Sequence, residues 1–282
     1  MAENSERAIG ENIFPEKDTK IYRWMMEVAW DGAGFFGWQR QPNKMTIQQC
    51  IEEALEKILG GEKVSVMAAG RTDAGVHARH QIISFACSTQ RSEFTIYRGL
   101  NAILPKTIAI IKVSSVPLNF RVRNASSHKI YEYHFLPNST KDPFLFAHTW
   151  MLRDSLDIVA MNQASQYFIG THDVSSFRSR GCTSKSTIRS ILTSEVFESD
   201  RRVVFSISGK GFLRHQVRIM AGTLLQVGLD QISVNDVKDI LERKKRAFAG
   251  PTAPAKGLWL CRTFLHESWR EKIENHQQIN MT

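Results

Sequence analysis

Gly70-Arg71-Thr72-Asp73-Ala74-Gly75-Val76-His77 sets one carboxylate between two glycines, with an arginine two positions before it. Glycines so placed let a backbone turn sharply and come close to another group. An arginine in the same turn can grip a phosphate with its fork while the carboxylate stays available for reaction. On spacing alone a plain turn with a surface ion pair is the commoner explanation, because short Gly/Asp turns are frequent.

Outward from this octet the pattern becomes regular. Before it, Val64 to Ala69 reads as a strand. Earlier still, Thr46 opens a helix as N-cap, with Gln49 completing a capping box and Ile47, Ile51, Ala54, Leu55 and Ile58 at helical spacing up to a stop at Gly60. Tyr22, Trp24, Met26, Val28 and Trp30 alternate with Arg23, Glu27 and Asp31, a period of two that predicts a half-buried strand, followed by a loop to Lys44. After the octet, Tyr131, Tyr133 and Phe135 alternate with Ile130, Glu132 and His134 in a strand over 129–136. A helix over 156–169 closed by Gly170, strands over 188–197 and 203–208 flanking Ser199-Asp200, a helix over 212–229, and a final helix capped by Ser233 and running toward Lys244 complete the series. Strand, helix, strand in each half predicts an α+β fold with helices on one face of antiparallel sheet. The halves share element order but no repeated sequence.

A chain of 282 residues with 42% hydrophobic and 23% charged residues suits two packed halves around a sizeable core. Its formal charge is +9. Glu3, Glu6, Glu11, Glu16 and Asp18 outnumber Arg7, Lys17 and Lys20, so the first twenty residues carry −2 and the remainder +11. That excess favours a polyanionic partner, since covering phosphates releases condensed counterions; a merely soluble basic protein explains charge alone equally well. Cys50, Cys87, Cys182 and Cys261 lie far apart without a CxxC pair, which suits free thiols. The absence of an eighteen-residue apolar run argues against a membrane-spanning helix, and an acidic N-terminus without an apolar core makes the cytoplasm the expected location.

Other residues carry weaker signals. Tyr131 and Tyr133 share one strand face, as base-stacking aromatics do, although half-burial in a core is the usual fate of strand tyrosines. Arg214 and Arg218, four residues apart on the 212–229 helix, share a stripe suited to anions or to a solvated basic face. Arg178, Arg180, Lys185 and Arg189 form another basic run, and Arg243 to Arg246 a third that complements a helix C-terminus. His77 and His80 beside Asp73 raise a metal site, but the pair chelates only on a helix and lacks further ligands nearby, so no metal is expected. Gly60-Gly61 lacks the lysine of a phosphate loop, and no nucleotide cofactor site is visible.

Taken together, Phe36-Gly37-Trp38-Gln39-Arg40-Gln41, Thr46-Ile47-Gln48, the octet with Ala78, Lys129-Ile130-Tyr131-Glu132-Tyr133, Gly170-Thr171-His172-Asp173 with Ser176-Phe177, Phe212-Leu213-Arg214-His215-Gln216-Val217-Arg218 and Ala253-Pro254 before Gly257-Leu258 resemble, in this order, the TruA family of pseudouridine synthases. The resemblance runs from about Tyr22 to Leu265. Val174 stands where an aromatic is usual and Gln216 where methionine is common, which touches local packing only. The resemblance implies two ferredoxin-like halves, 21–125 and 126–268, with joined sheets and a basic cleft, between a flexible segment 1–20 and a tail 269–282. It implies a homodimer acting without metal or cofactor on the anticodon stem-loop of tRNA, at tRNA positions 38 to 40. It assigns Asp73 as the catalytic carboxylate, attacking the sugar or removing a sugar proton. Burial alone would favour the neutral acid, so a nearby cation is expected, and Arg218 is the matching partner. Tyr131 would stack on the target base and help relay the C5 proton, while Arg71 would fill the place of the flipped nucleotide or hold its phosphate. Arg214 joins these as a substrate-binding residue. The rival readings are a non-catalytic RNA chaperone on the same scaffold, a metal-dependent hydrolase using Asp73, His77 and His80, and a synthase aimed at another RNA site.

Overall fold

Alternation along the first strand and a side-chain cap on the first helix set the pattern that the rest of the chain repeats. The structure, a computed structural model, describes residues 20–279, so the expected flexible segment lies outside the described residues except for Lys20. The chain forms β1 (Tyr22–Trp30), α1 (Ile47–Ile58), β2 (Met67–Ala68), β3 (His77–Cys87), α2 (Glu93–Ile103), β4 (Ile108–Ser115), α3 (Val122–Ala125), β5 (Ser126–Leu136) and β6 (Trp150–Met151). It continues through α4 (Ile158–Ser165), β7 (Gly170–Asp173), β8 (Ile188–Ser199), β9 (Arg202–Gly209), α5 (Gln216–Gly228), α6 (Val234–Arg243), β10 (Leu258–Leu265) and α7 (Glu267–Ile279).

Among the described residues ten strands join one mostly antiparallel sheet in the order β4-β1-β3-β10-β5-β9-β8-β7, with β2 beside β3 and β6 beside β5. The first four strands stand as β4-β1-β3-β2, and the strands β5, β8, β9 and β10 repeat that order as β10-β5-β9-β8. Each half is thus ferredoxin-like, and the fold is α+β. The seam is short and parallel: Trp259 and Leu260 of β10 pair with His77 and Ala78 of β3. Farther along, β2 takes the same edge of β3 at Ser84 and Ile83.

One large core lies between the sheet and the helices. It takes Trp24, Met26 and Val28 from β1, Ile47, Ile51, Ala54 and Leu55 from α1, Phe205 and Ile207 from β9, and Met220, Ala221 and Leu224 from α5. A smaller core on the other face joins Met25, Ile82, Phe120 and Val122 to Ile273 of α7, with Trp269 edge-on to Phe120 at 5.2 Å. Residues 269–279, read as tail, are therefore the body of a helix that covers apolar sheet; 280–282 lie outside the described residues.

Several boundaries differ from the sequence reading for identifiable reasons. Thr46 accepts the Gln49 amide at 3.4 Å, but the Gln49 side chain turns to Glu53 at 2.8 Å, so the reciprocal half of the capping box is absent. The strand expected over 64–69 shrinks to Met67–Ala68. The helix over 156–169 ends at Ser165 in a single 3-10 turn, and Gly170, at φ 117°, starts β7. The helix over 212–229 begins only at Gln216, because His215 adopts the left-handed conformation. The helix after Ser233, α6, is not the last; β10 and α7 follow it. Nothing in the sequence reading covered β3, α2 or β4. β3 is buried on both faces, Ile83 and Phe85 in one core and Ile82 in the other, so its sequence does not alternate.

Gly222 lets α5 lie against the 250–253 segment, since a Cβ there would meet the Pro251 carbonyl oxygen at 1.9 Å. Gly222→Ala should cost about 1–3 kcal/mol, the usual size of overpacking, and should lower the urea midpoint without changing the slope.

Candidate active site

Asp73 belongs to a loop without regular structure, and glycines elsewhere in the chain hold that loop in place. Trp38 N–H donates to Thr72 O at 3.1 Å, Gly75 N–H to Phe35 O at 3.2 Å, and Val76 N–H to Asp73 O at 3.2 Å. Gly37, at φ 85°, backs onto the loop so closely that a Cβ would lie 2.8 Å from Thr72 O. At Gly32 a Cβ would meet Val76 O at 2.2 Å, and the Trp30 indole N–H donates to that same oxygen at 3.0 Å. The Phe36-Gly37-Trp38 motif is thus a brace for the Asp73 turn.

From the other half, Arg218 on the first turn of α5 brings Nη1 to 3.3 Å from Asp73 Oδ2. Its Nε donates to Ala253 O at 2.7 Å, and Ala253 N–H returns a bond to Arg218 O at 3.1 Å. The first bond anchors the guanidinium and the second the backbone that carries it, and only 14% of the side chain is exposed. Tyr131 lies buried on β5 beside this pair, edge-on to Phe212 at 5.2 Å. Burial, with the charge of Asp73 added, pushes its phenol above the ordinary value of 10.0, so the hydroxyl stays protonated across physiological pH. Tyr133 is structural: fully buried, it donates to Pro254 O at 2.8 Å and lies against Gly257, where a Cβ would meet its ring at 2.7 Å.

The remaining candidates separate. Arg71 is exposed and makes no hydrogen bond or ion pair among the described residues, which leaves its guanidinium open beside Asp73 in the chain. Arg214 is exposed too, but it precedes the helix, so it does not share a helical stripe with Arg218. Its Nη1 lies against Gly181, where a Cβ would sit 3.2 Å away. Arg178 and Arg189 spend their guanidinium groups on carbonyls within 178–189, while Arg180 and Lys185 of the same run are exposed. Arg243 stacks over Phe248 at 4.6 Å in the last turn of α6.

His77 and His80 do not join Asp73. The His77 ring stacks on Trp259 at 4.4 Å, accepts Gly32 N–H at Nδ1, and directs Nε2 to the carbonyls of Ala147 and Lys256. Burial holds its imidazole below the ordinary value, with Asp31 opposing. His80 engages Glu27 at 2.9 Å and takes the Thr263 amide. Asp31, His77 and His148 bring ligand-type atoms within 4.8 Å of one another; His148 Nε2 bonds Asp31 and His77 Nε2 the Ala147 carbonyl, which holds the β5–β6 loop against the end of β1 and the start of β3.

Two residues next to the octet were not singled out by sequence reasoning. His215 lies 3.4 Å from Asp73 through Nε2; its place between two arginines in Arg214-His215-Gln216-Val217-Arg218 was the available signal. Lys129 is 7% exposed, its ammonium pushed down by burial, with Nζ bonded to Ser126 and its stem under Gly70. At the two departures from the family pattern, Val174 is buried in the core, and Gln216 accepts Leu213 N–H at 2.8 Å.

The family model described as tRNA pseudouridine synthase matches residues 27–123 and 164–264. The tRNA pseudouridine synthase A of Clostridium kluyveri is 41% identical over 237 residues, spanning 84% of this chain and 97% of that protein. That of Syntrophotalea carbinolica is 38% identical over 83% of this chain and 92% of its own, and a Bacillus cereus tRNA pseudouridine synthase A 1 is 40% identical over 83% and 94%. A crystal structure of the archaeal box H/ACA Nop10–Cbf5 complex shares 15% identity at a TM-score of 0.30, covering 80% of this chain and 60% of that one, too slight a likeness to argue from. With the octet, its braces and the arginine opposite all accounted for, this chain belongs to the tRNA pseudouridine synthase family, the isomerases that convert uridine to pseudouridine in tRNA.

Proposed function

We propose that the protein isomerises uridine in the anticodon stem-loop of tRNA, at tRNA positions 38 to 40, with Asp73 as the catalytic carboxylate and without metal or cofactor. The observation that carries this reading is the Asp73–Arg218 contact across the seam, with buried Tyr131 alongside. The glycosidic bond must break, the uracil must turn, and C5 must bond to C1′. An ionised carboxylate beside a fixed guanidinium suits either attack at C1′ or removal of a sugar proton. Tyr131 offers a face to the base and a hydroxyl that passes a proton only as it receives one. Arg71 and Arg214, both exposed, would take phosphates or the gap left by a flipped nucleotide, and a stem-edge base lowers the cost of flipping. A basic cleft along the seam, a homodimer spanning one tRNA and a cytoplasmic location complete the reading. It is compatible with the finding that no helix among the described residues is long and apolar enough to cross a membrane.

The chaperone alternative would not need the Asp73–Arg218 pair, and the hydrolase alternative would need His77 and His80 at Asp73, where they are not found. Asp73→Asn should keep tRNA affinity within about threefold and abolish pseudouridine formation, measured by filter binding and by nucleoside analysis of the same tRNA. Wild-type turnover in that variant would remove Asp73 from the chemistry. Arg218→Lys keeps the charge and loses the fork, so single-turnover rate should fall roughly tenfold or more while binding changes little. Collapse of binding with unchanged turnover of bound tRNA would instead make Arg218 a phosphate contact.

A further inference from the structure

Two groups reach the carboxylate of Asp73, and both reach the same oxygen. Arg218 Nη1 is 3.3 Å from Oδ2, and His215 Nε2 is 3.4 Å from Oδ2. Among the described residues no hydrogen bond or ion pair engages Oδ1. Contacts of this length are common in empty active sites and tighten when substrate closes them.

His215 arrives there through an unusual backbone. At φ 62° and ψ 4° it is left-handed, a conformation costly for any residue with a Cβ and best tolerated by Gly, Asn, Asp and His. Helix capping does not account for it. The residue is the N-cap of α5, where Ser, Thr, Asp or Asn would normally accept a backbone N–H, yet the His215 side chain makes no such bond. The turn throws the ring toward Asp73 instead.

We propose that His215 is a positioning residue for Asp73: it donates Nε2–H to Oδ2 and, with Arg218 on the same atom, fixes the carboxylate so that Oδ1 is the oxygen presented to the sugar. The inference rests on the reading of Asp73 as the catalytic carboxylate. The groups facing the ring are Asp73 from the octet loop, Arg218 from α5 and Arg214 from the segment before it. Burial and the two arginines hold the imidazole below its ordinary value of 6.5, against the pull of Asp73, so near neutrality the ring is an uncharged donor. When acid protonates it, a second full cation joins Arg218 on Oδ2 and draws charge from the carboxylate. Turnover therefore falls on the acid side as His215 takes up its proton, at a pH below 6.5.

Full-length wild-type protein, His215→Gly, His215→Asn and Asp73→Asn would be compared in single-turnover release of tritium from tRNA carrying [5-³H]uridine, from about pH 5 to pH 8. Glycine accepts the left-handed backbone and removes the donor; asparagine accepts it nearly as well and keeps one. His215→Gly should keep its melting temperature and bind tRNA within about threefold, while its rate falls about tenfold or more, the size of one hydrogen bond to a charged group. His215→Asn should recover most of that rate, and both should lose the acid-side fall that belongs to histidine. A His215→Gly variant with the wild-type rate and wild-type acid limb would overturn the proposal, because only the turn would then matter. A rate loss in His215→Gly explained wholly by weaker binding would overturn it too. Failure of the wild type to release tritium, or an Asp73→Asn variant as fast as wild type, would instead overturn the assignment of Asp73, and this inference with it.

Discussion

A parallel pairing of two residues from each strand, His77–Ala78 of β3 against Trp259–Leu260 of β10, joins two ferredoxin-like halves into one sheet. The position of the site follows from it. The Asp73 octet ends on His77, the first residue of that seam, so the Asp73 carboxylate of one half stands at the border with the other. Across the border α5 supplies Arg218, and the 250–257 segment leading into β10 supplies the carbonyls that lock Arg218 and Tyr133. Neither half alone holds both members of the Asp73–Arg218 pair. The buried His77 ring, stacked on Trp259 and bonded to Gly32, Ala147 and Lys256, ties three separate stretches of chain at the same point. These contacts hold the seam together.

Much of the apparatus around Asp73 is steric. A loop with few hydrogen bonds of its own keeps one geometry because Gly32 and Gly37 allow other backbone segments to press against it at distances no Cβ would permit. A charged group on such a loop is useful only if it is oriented, and rigid surroundings provide that before substrate arrives. Arg218 brings charge, and its two bonds to Ala253 bring fixed direction.

How much of this could be read in the chain depended on whether the responsible contacts were local. β1 was legible because one face is buried and the other is half-exposed, leaving a clean period of two. β5 was legible for its tyrosines, although both are buried and only Tyr131 feels the charge of Asp73. β3 was not, since burial on both faces erases alternation, and α7 was not, because its few apolar contacts depend on a sheet face the sequence does not display. The start of α5 was misplaced by four residues because a left-handed His215 is a tertiary choice that propensity does not reveal. Asp73 and Arg218 are 145 positions apart, and spacing alone left Asp73 as a turn residue; only the ordered set of motifs raised it above that.

The proposed isomerisation needs no cofactor and is carried by groups of this chain alone. Its most direct test is incubation of the purified protein, in excess chelator, with an unmodified tRNA transcript, followed by site-by-site mapping of pseudouridine. Conversion confined to the anticodon stem-loop is the predicted result. No conversion until metal is restored, or conversion only at sites elsewhere in the tRNA, would contradict it.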